Sequence, residues 1–142
     1  MDKRNFKSKI SKQYGLRAKE VDAILKVFGG LLRERLEAKH SITFQELESY
    51  FTDSVLGTSV NNAIRRQVQK EQGYRKRVRT RGEFNLDDDD KIEIAKTYVS
   101  VIRAELSDKG NTSVPYSGKY SLSENEDSII SASVGGGGGT GV

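Results

Sequence analysis

Apolar residues recur between Arg17 and Lys39 at Val21, Ile24, Leu25, Phe28, Leu31, Leu32 and Leu36. This i, i+3, i+4, i+7 spacing predicts a helix with one wide buried face. Lys19, Glu20, Lys26, Arg33, Glu34 and Glu37 fill most of the opposite side. Gly29 and Gly30 interrupt its middle. A glycine costs a helix interior roughly 1 kcal/mol relative to alanine. The pair therefore implies close approach of another helix, from the same chain or from a second copy. Upstream, Phe6, Ile10 and Tyr14 stand at helical spacing among lysines and predict a shorter amphipathic helix over residues 2–14. Gly15 terminates it, and Leu16 is placed to staple the entry of the long helix.

Beyond Lys39 the pattern changes. Ile42 and Phe44 alternate with polar residues as a strand would, yet Thr43 and Glu46 also form a capping box that could start a helix running to Phe51. Residues 52–59 read as a polar turn containing Gly57. Val60, Ile64 and Val68 then mark a further helix, with Ser59 as its N-cap and Gly73 as its end. Residues 74–86 alternate around Val78 and contain Arg81-Gly82 as a tight turn, which predicts an edge strand or short hairpin. Four aspartates, Asp87 to Asp90, suit the positive N-terminal end of a helix dipole. After them Ile92, Ala95, Val99, Ile102 and Leu106, with Ile94, Tyr98 and Val101 beside them, form a wide helical stripe, although their β-branched content leaves a strand open. Residues 108–142 are rich in Ser, Gly and Asn, with Ile129-Ile130 and a run from Gly135 to Gly139. Alone in water such a segment is expected to be disordered or loosely strand-like. The expected fold is α+β: residues 1–51 as a helical pair plus strand, residues 52–107 as a helix, a basic strand or hairpin and a further helix, and residues 108–142 as an extended tail.

The first of these parts resembles the histone-like HU and integration host factor family. That family begins Met-x-Lys, with apolar residues matching Phe6 and Ile10, a leucine at the inter-helix turn matching Leu16, and a Lys-acidic pair matching Lys19-Glu20. It continues with matches to Leu25, Phe28 and Leu36, then a first strand matching Ile42 and Phe44 that ends in an aromatic fitting Tyr50 or Phe51. The register holds without a gap through the long helix. Two departures are plain. The family's Gly-Phe-Gly strand turn is replaced by Glu46-Leu47-Glu48, and the basic ribbon arm with its wedging proline has no counterpart, the only proline being Pro115. The family's DNA-kinking residues therefore map to no position here. What the resemblance implies is a core closed by intertwining two copies, with Phe28, Gly29, Gly30 and Leu32 at the contact, and hence a homo-oligomer.

Composition narrows the chemistry. At 142 residues, 35% of them hydrophobic and 31% charged, the chain can build one ordinary domain with a modest core and a highly charged surface. Without cysteine it has no disulfide scaffold, cysteine nucleophile or thiolate metal site. No apolar run approaches the roughly 18 residues needed to span a bilayer, and the N-terminus lacks the apolar core of a secretion signal. An intracellular or virion location, with no membrane partner, is expected. A net charge of +4 and a pI near 9.3 favour anionic partners.

No catalytic constellation is visible, so no enzyme activity and no cofactor are expected. The single histidine, His40, falls at the C-terminal end of the long helix, where a partly protonated ring suits the dipole. Phosphate-loop, dinucleotide and nucleophile-elbow motifs are absent. The aspartate run lacks the glycine and distant glutamate of a calcium loop, and no metal site is assigned.

The strongest functional signal is electrostatic. Arg65, Arg66, Lys70, Arg75, Lys76, Arg77, Arg79 and Arg81 lie within one stretch that holds a single acid, Glu71, with Asn61, Asn62, Gln67 and Tyr74 interleaved. Such a patch can neutralise phosphates with salt-sensitive affinity; the alternative is a solvated face, or one paired with acids in an oligomer. Two functions are carried forward. One is a non-enzymatic HU-like structural subunit, such as a phage neck or connector ring protein near DNA, whose residues 108–142 contact other structural proteins. The other is a DNA-binding architectural or regulatory protein, including a winged-helix variant with residues 59–72 as recognition helix and residues 74–86 as wing. Against that variant, the turn ahead of the recognition helix is longer than the usual three or four residues.

Overall fold

A computed structural model describes residues 1–71 and 86–132. Helix α1, Lys3–Tyr14, starts where the Asp2 carboxylate accepts hydrogen bonds from the Arg4 and Asn5 amides at 2.9 and 3.2 Å, and it stops at Gly15, whose φ of +67° no side chain obstructs. Its apolar Phe6 and Ile10 are buried. Helix α2, Ala18–Lys39, follows after Arg17. Glu20, assigned to the solvent face by the sequence pattern, is instead buried: its carboxylate accepts the Arg17 amide at 2.7 Å and caps the first turn.

The stretch after His40 satisfies both readings of its sequence. Strand β1 is only Ser41–Thr43, and Thr43 then exchanges 3.1 Å hydrogen bonds with Glu46 in a capping box that opens helix α3, Phe44–Val55. A strand continuing to Tyr50 or Phe51, as the HU-like pattern implies, does not form. Leu56 and Gly57 alone separate α3 from helix α4, Thr58–Glu71. The long turn expected over residues 52–59 is thus reduced to two residues, because the capping box sets the helix start and its apolar positions carry it to Val55. Helix α5, Asp88–Lys109, is capped by the Asp87 carboxylate, which accepts the Asp90 amide at 2.9 Å. The aspartate run therefore serves as a helix start, and the apolar stripe that left a strand open is helical throughout.

The segment expected to be an extended tail is folded as far as Ser131. Strands β2 (Asn111–Val114), β3 (Gly118–Leu122) and β4 (Ser128–Ser131) form an antiparallel sheet with β1 in the order β1-β4-β3-β2. Period-two alternation, broken up by Ser and Gly, aims Thr112, Val114, Tyr120 and Ile129 inward together with Ile42. Pairing of Ile42 with Ile129 in β1 and β4 joins residues from the two ends of the chain. The run Gly135–Gly139 lies outside the described residues.

Four aromatic rings fasten the helices to one another. Tyr98 of α5 meets Phe6 of α1, Phe28 of α2 and Phe51 of α3 at centroid separations of 6.0, 5.1 and 5.2 Å. The residues expected at an intersubunit contact are placed as follows within the chain. Phe28, Gly29 and Leu32 are buried within one chain, and only Gly30 keeps partial exposure. Nor is the close neighbour of the glycine pair a helix. It is the β2–β3 turn, where a Cβ added to Gly29 would lie 2.8 Å from the Pro115 carbonyl oxygen and 2.9 Å from that of Tyr116. The turn is stitched in place: the Tyr116 hydroxyl donates to Asp22 of α2 at 2.8 Å and receives the Lys3 ammonium of α1 at 2.9 Å. Tyr116 holds a φ of +62°, a conformation costing a non-glycine residue roughly 1–2 kcal/mol. Nearby, the N-terminal ammonium of Met1 binds the Glu105 carboxylate and holds its pKa down to about 2.

Candidate nucleic-acid interface

Helix α4 carries the part of the basic patch that falls on described residues. Its Val60, Ile64 and Val68 are buried, and α2 lies alongside it. The opposite face presents Thr58, Ser59, Arg65, Arg66, Gln69 and Lys70 to solvent, with Asn62 at its margin. These positions repeat at three and four residues, so they form one continuous stripe rather than a scatter. The Arg65 guanidinium donates to the Asn62 side chain at 3.1 Å, so the pair is held in register on neighbouring turns. Arg65, Arg66 and Lys70 make no ion pair among the described residues. Arg75, Lys76, Arg77, Arg79 and Arg81, together with the strand or hairpin expected over residues 74–86 and the stop at Gly73, lie outside them.

The link between α3 and α4 is fixed by a residue whose role the sequence did not reveal. The Asn61 amide donates to the carbonyl oxygens of Val55 at 3.3 Å and Gly57 at 2.9 Å, satisfying groups at the end of α3 and within the turn. Asn61 was readable only as a candidate hydrogen-bonding group of the patch; its actual targets depend on where α3 ends. Leu56, at the tip of the turn, is 46% exposed.

Charge on the flanks is unequal. On α3, Glu46, Glu48 and Asp53 are exposed, and the β3–β4 turn adds Glu124, Glu126 and Asp127. The two acidic groups adjoin, since the Phe44 amide donates to the Asp127 carbonyl oxygen at 3.0 Å. On the other flank, the Lys26 ammonium of α2 bonds Glu71 at the end of α4 at 2.9 Å, and this hydrogen bond raises its pKa. Asp22 lies 3.7 Å from that same ammonium and 3.8 and 3.6 Å from Lys3 and Lys7 of α1. Helix α1 holds Lys3, Arg4, Lys7, Lys9 and Lys12 and no acid. This basic helix was legible in the sequence, but its link to the end of α4 through Asp22 and Lys26 of α2 was not.

Elsewhere, an open cleft of about 820 Å³ separates the C-terminal half of α2 from β3 and β4, and His40 lines it with Arg33, Leu36, Glu37, Tyr120 and Ile130. Among the described residues no three His, Asp or Glu side chains are grouped to hold a metal, and no helix is long and apolar enough to cross a membrane. No protein-family model matches the chain, and no curated protein or solved structure is significantly similar to it.

Proposed function

We propose that this chain binds duplex DNA, presenting α4 as the recognition helix of a helix-turn-helix unit formed with α3. The observation that carries the reading is the two-residue link between those helices, locked by Asn61, with a solvent-facing stripe of Thr, Ser, Asn, Arg and Gln on the second helix. Side chains of these types supply the bidentate and single hydrogen bonds that read base edges, while Arg and Lys neutralise phosphates. Chain order adds support. The succession α2, β1, α3, α4 and then the β3–β4 hairpin, with β1 paired to β4, is that of a winged helix with α5 and β2 inserted. In that reading the turn over residues 123–127 stands in the position of the wing.

Favouring this reading over an HU-like assembly module is the burial of Phe28, Gly29 and Leu32 by their own chain, which leaves the intertwined contact without its surface. The test is a fluorescence-anisotropy titration of wild type and Arg65→Gln/Arg66→Gln against a mixed-sequence duplex at two salt concentrations. Wild type is expected to bind with steep salt dependence, and the variant to lose about tenfold or more in affinity with a slope lowered by about 0.9 per phosphate contact removed. Wild-type binding insensitive to both salt and the double substitution contradicts the proposal.

A further inference from the structure

We infer that α1 is a second DNA-contacting element, so that phosphates tracked from α4 pass over Lys26 to Arg4 and Lys12, away from the β3–β4 turn. This rests on the reading of α4 as the DNA-facing helix and adds the path of the duplex across the protein. The ion-pair chain running from Glu71 through Lys26 and Asp22 to Lys3 and Lys7 makes the end of α4 and the first turns of α1 parts of one surface. Those pairs use Lys3, Lys7 and Lys26 internally. Arg4, Ser8 and Lys12 are left exposed at i, i+4 and i+8 on α1, a row about 12 Å long at 1.5 Å per residue. Along the duplex axis that length covers roughly three phosphates of one strand, at one per about 3.4 Å, and more across a groove. Arg4 and Lys12 have no ion-pair partner among the described residues.

Topology places the acidic β3–β4 turn and the start of α3 away from the start of α1. The β2–β3 turn touches α1 through Tyr116, and the β3–β4 turn leaves the opposite end of β3. Five residues of strand separate the two turns by roughly 17 Å, given a rise near 3.3 Å per residue. Glu124, Glu126 and the N-terminal carboxylates of α3 therefore stand beyond a Debye length from Arg4 at physiological salt, which is about 8 Å. A duplex laid over them would meet like charge; one laid over α1 meets none on that helix, and carboxylates reach it only past Lys12, where Tyr14 donates to Glu93 of α5 at 3.1 Å.

The experiment measures affinity against salt concentration for wild type, Arg4→Gln/Lys12→Gln, Lys39→Gln and Glu124→Gln/Glu126→Gln, each checked for an unchanged thermal midpoint. Removing Arg4 and Lys12 is expected to lower the salt slope by about 1–2 and affinity several-fold. Lys39→Gln, at the far end of α2, is expected to leave the slope unchanged, and Glu124→Gln/Glu126→Gln to change affinity less than about threefold. Wild-type slope retained by Arg4→Gln/Lys12→Gln, while Arg65→Gln/Arg66→Gln binds weakly, overturns the α1 path and leaves the role of α4 intact. A tenfold rise in affinity on neutralising Glu124 and Glu126 also overturns it, because the duplex then lies over that turn. Absence of salt-sensitive binding by wild type removes both readings.

Discussion

Gly29 and Gly30 are adjacent in sequence and opposite in consequence. At Gly29 the space for a side chain is taken by two backbone oxygens of the β2–β3 turn, at 2.8 and 2.9 Å, which cannot rotate aside. At Gly30 nothing lies within 4 Å of an added Cβ. Gly29→Ala is therefore expected to destabilise the fold by about 1–3 kcal/mol through overpacking. Gly30→Ala is expected to stabilise it by roughly 0.5–1 kcal/mol through helix propensity. Urea midpoints of the two variants check this, and a shift of the same sign in both contradicts the packing described. The glycine pair announced a close approach in the sequence. The identity of the approaching group was hidden because it lies nearly ninety positions away and consists of backbone, which carries no sequence signature.

Helices were legible where an apolar stripe and a cap agreed. The α2 and α5 stripes, the Thr43–Glu46 box and the Asp87 cap are each local signals, and each appears in the structure at the expected place within a few residues. The sheet was not legible in the same way. Its strands span three to five residues, and Ile42 finds its partner Ile129 only after the chain has passed through three helices. Composition made residues 111–131 resemble a tail, since short strands rich in Ser and Gly have little periodicity to detect. On the candidate interface the stripe of α4 was visible, whereas the tight link to α3 depends on the extra turn of α3 up to Val55. Asn61 ties that link together, and its loss leaves the Val55 carbonyl without this donor, while the Gly57 carbonyl keeps only the Asn61 backbone amide at 3.3 Å. Asn61→Ala is expected to cost about 1–2 kcal/mol, seen as a lower urea midpoint with an unchanged m-value. It should weaken DNA binding further at denaturant concentrations where the protein remains folded. An unchanged midpoint contradicts the lock.

Across the molecule, burial of the aromatic hub inside one chain separates stability from association. Phe28→Ala removes the ring that meets both Phe51 and Tyr98, at 5.3 and 5.1 Å. The expected cost is about 3–5 kcal/mol, as for other buried Phe truncations, with no change in sedimentation coefficient while the protein stays folded. A drop from oligomer to monomer on that substitution restores Phe28 to an intersubunit contact. Charge is likewise arranged over the whole molecule, with cations on α1 and α4 and carboxylates around the starts of α3 and α5 and on the β3–β4 turn. DNA is expected to follow the cations and to avoid the β3–β4 turn and the start of α3. The most direct measurement is backbone amide chemical-shift mapping of the full chain titrated with a mixed-sequence duplex at low salt. Shifts concentrated at the exposed positions of α4 between Thr58 and Lys70, and at Arg4, Ser8 and Lys12 of α1, are the expected result. Shifts concentrated on α3 and residues 123–127, or none anywhere at saturating duplex, contradict it.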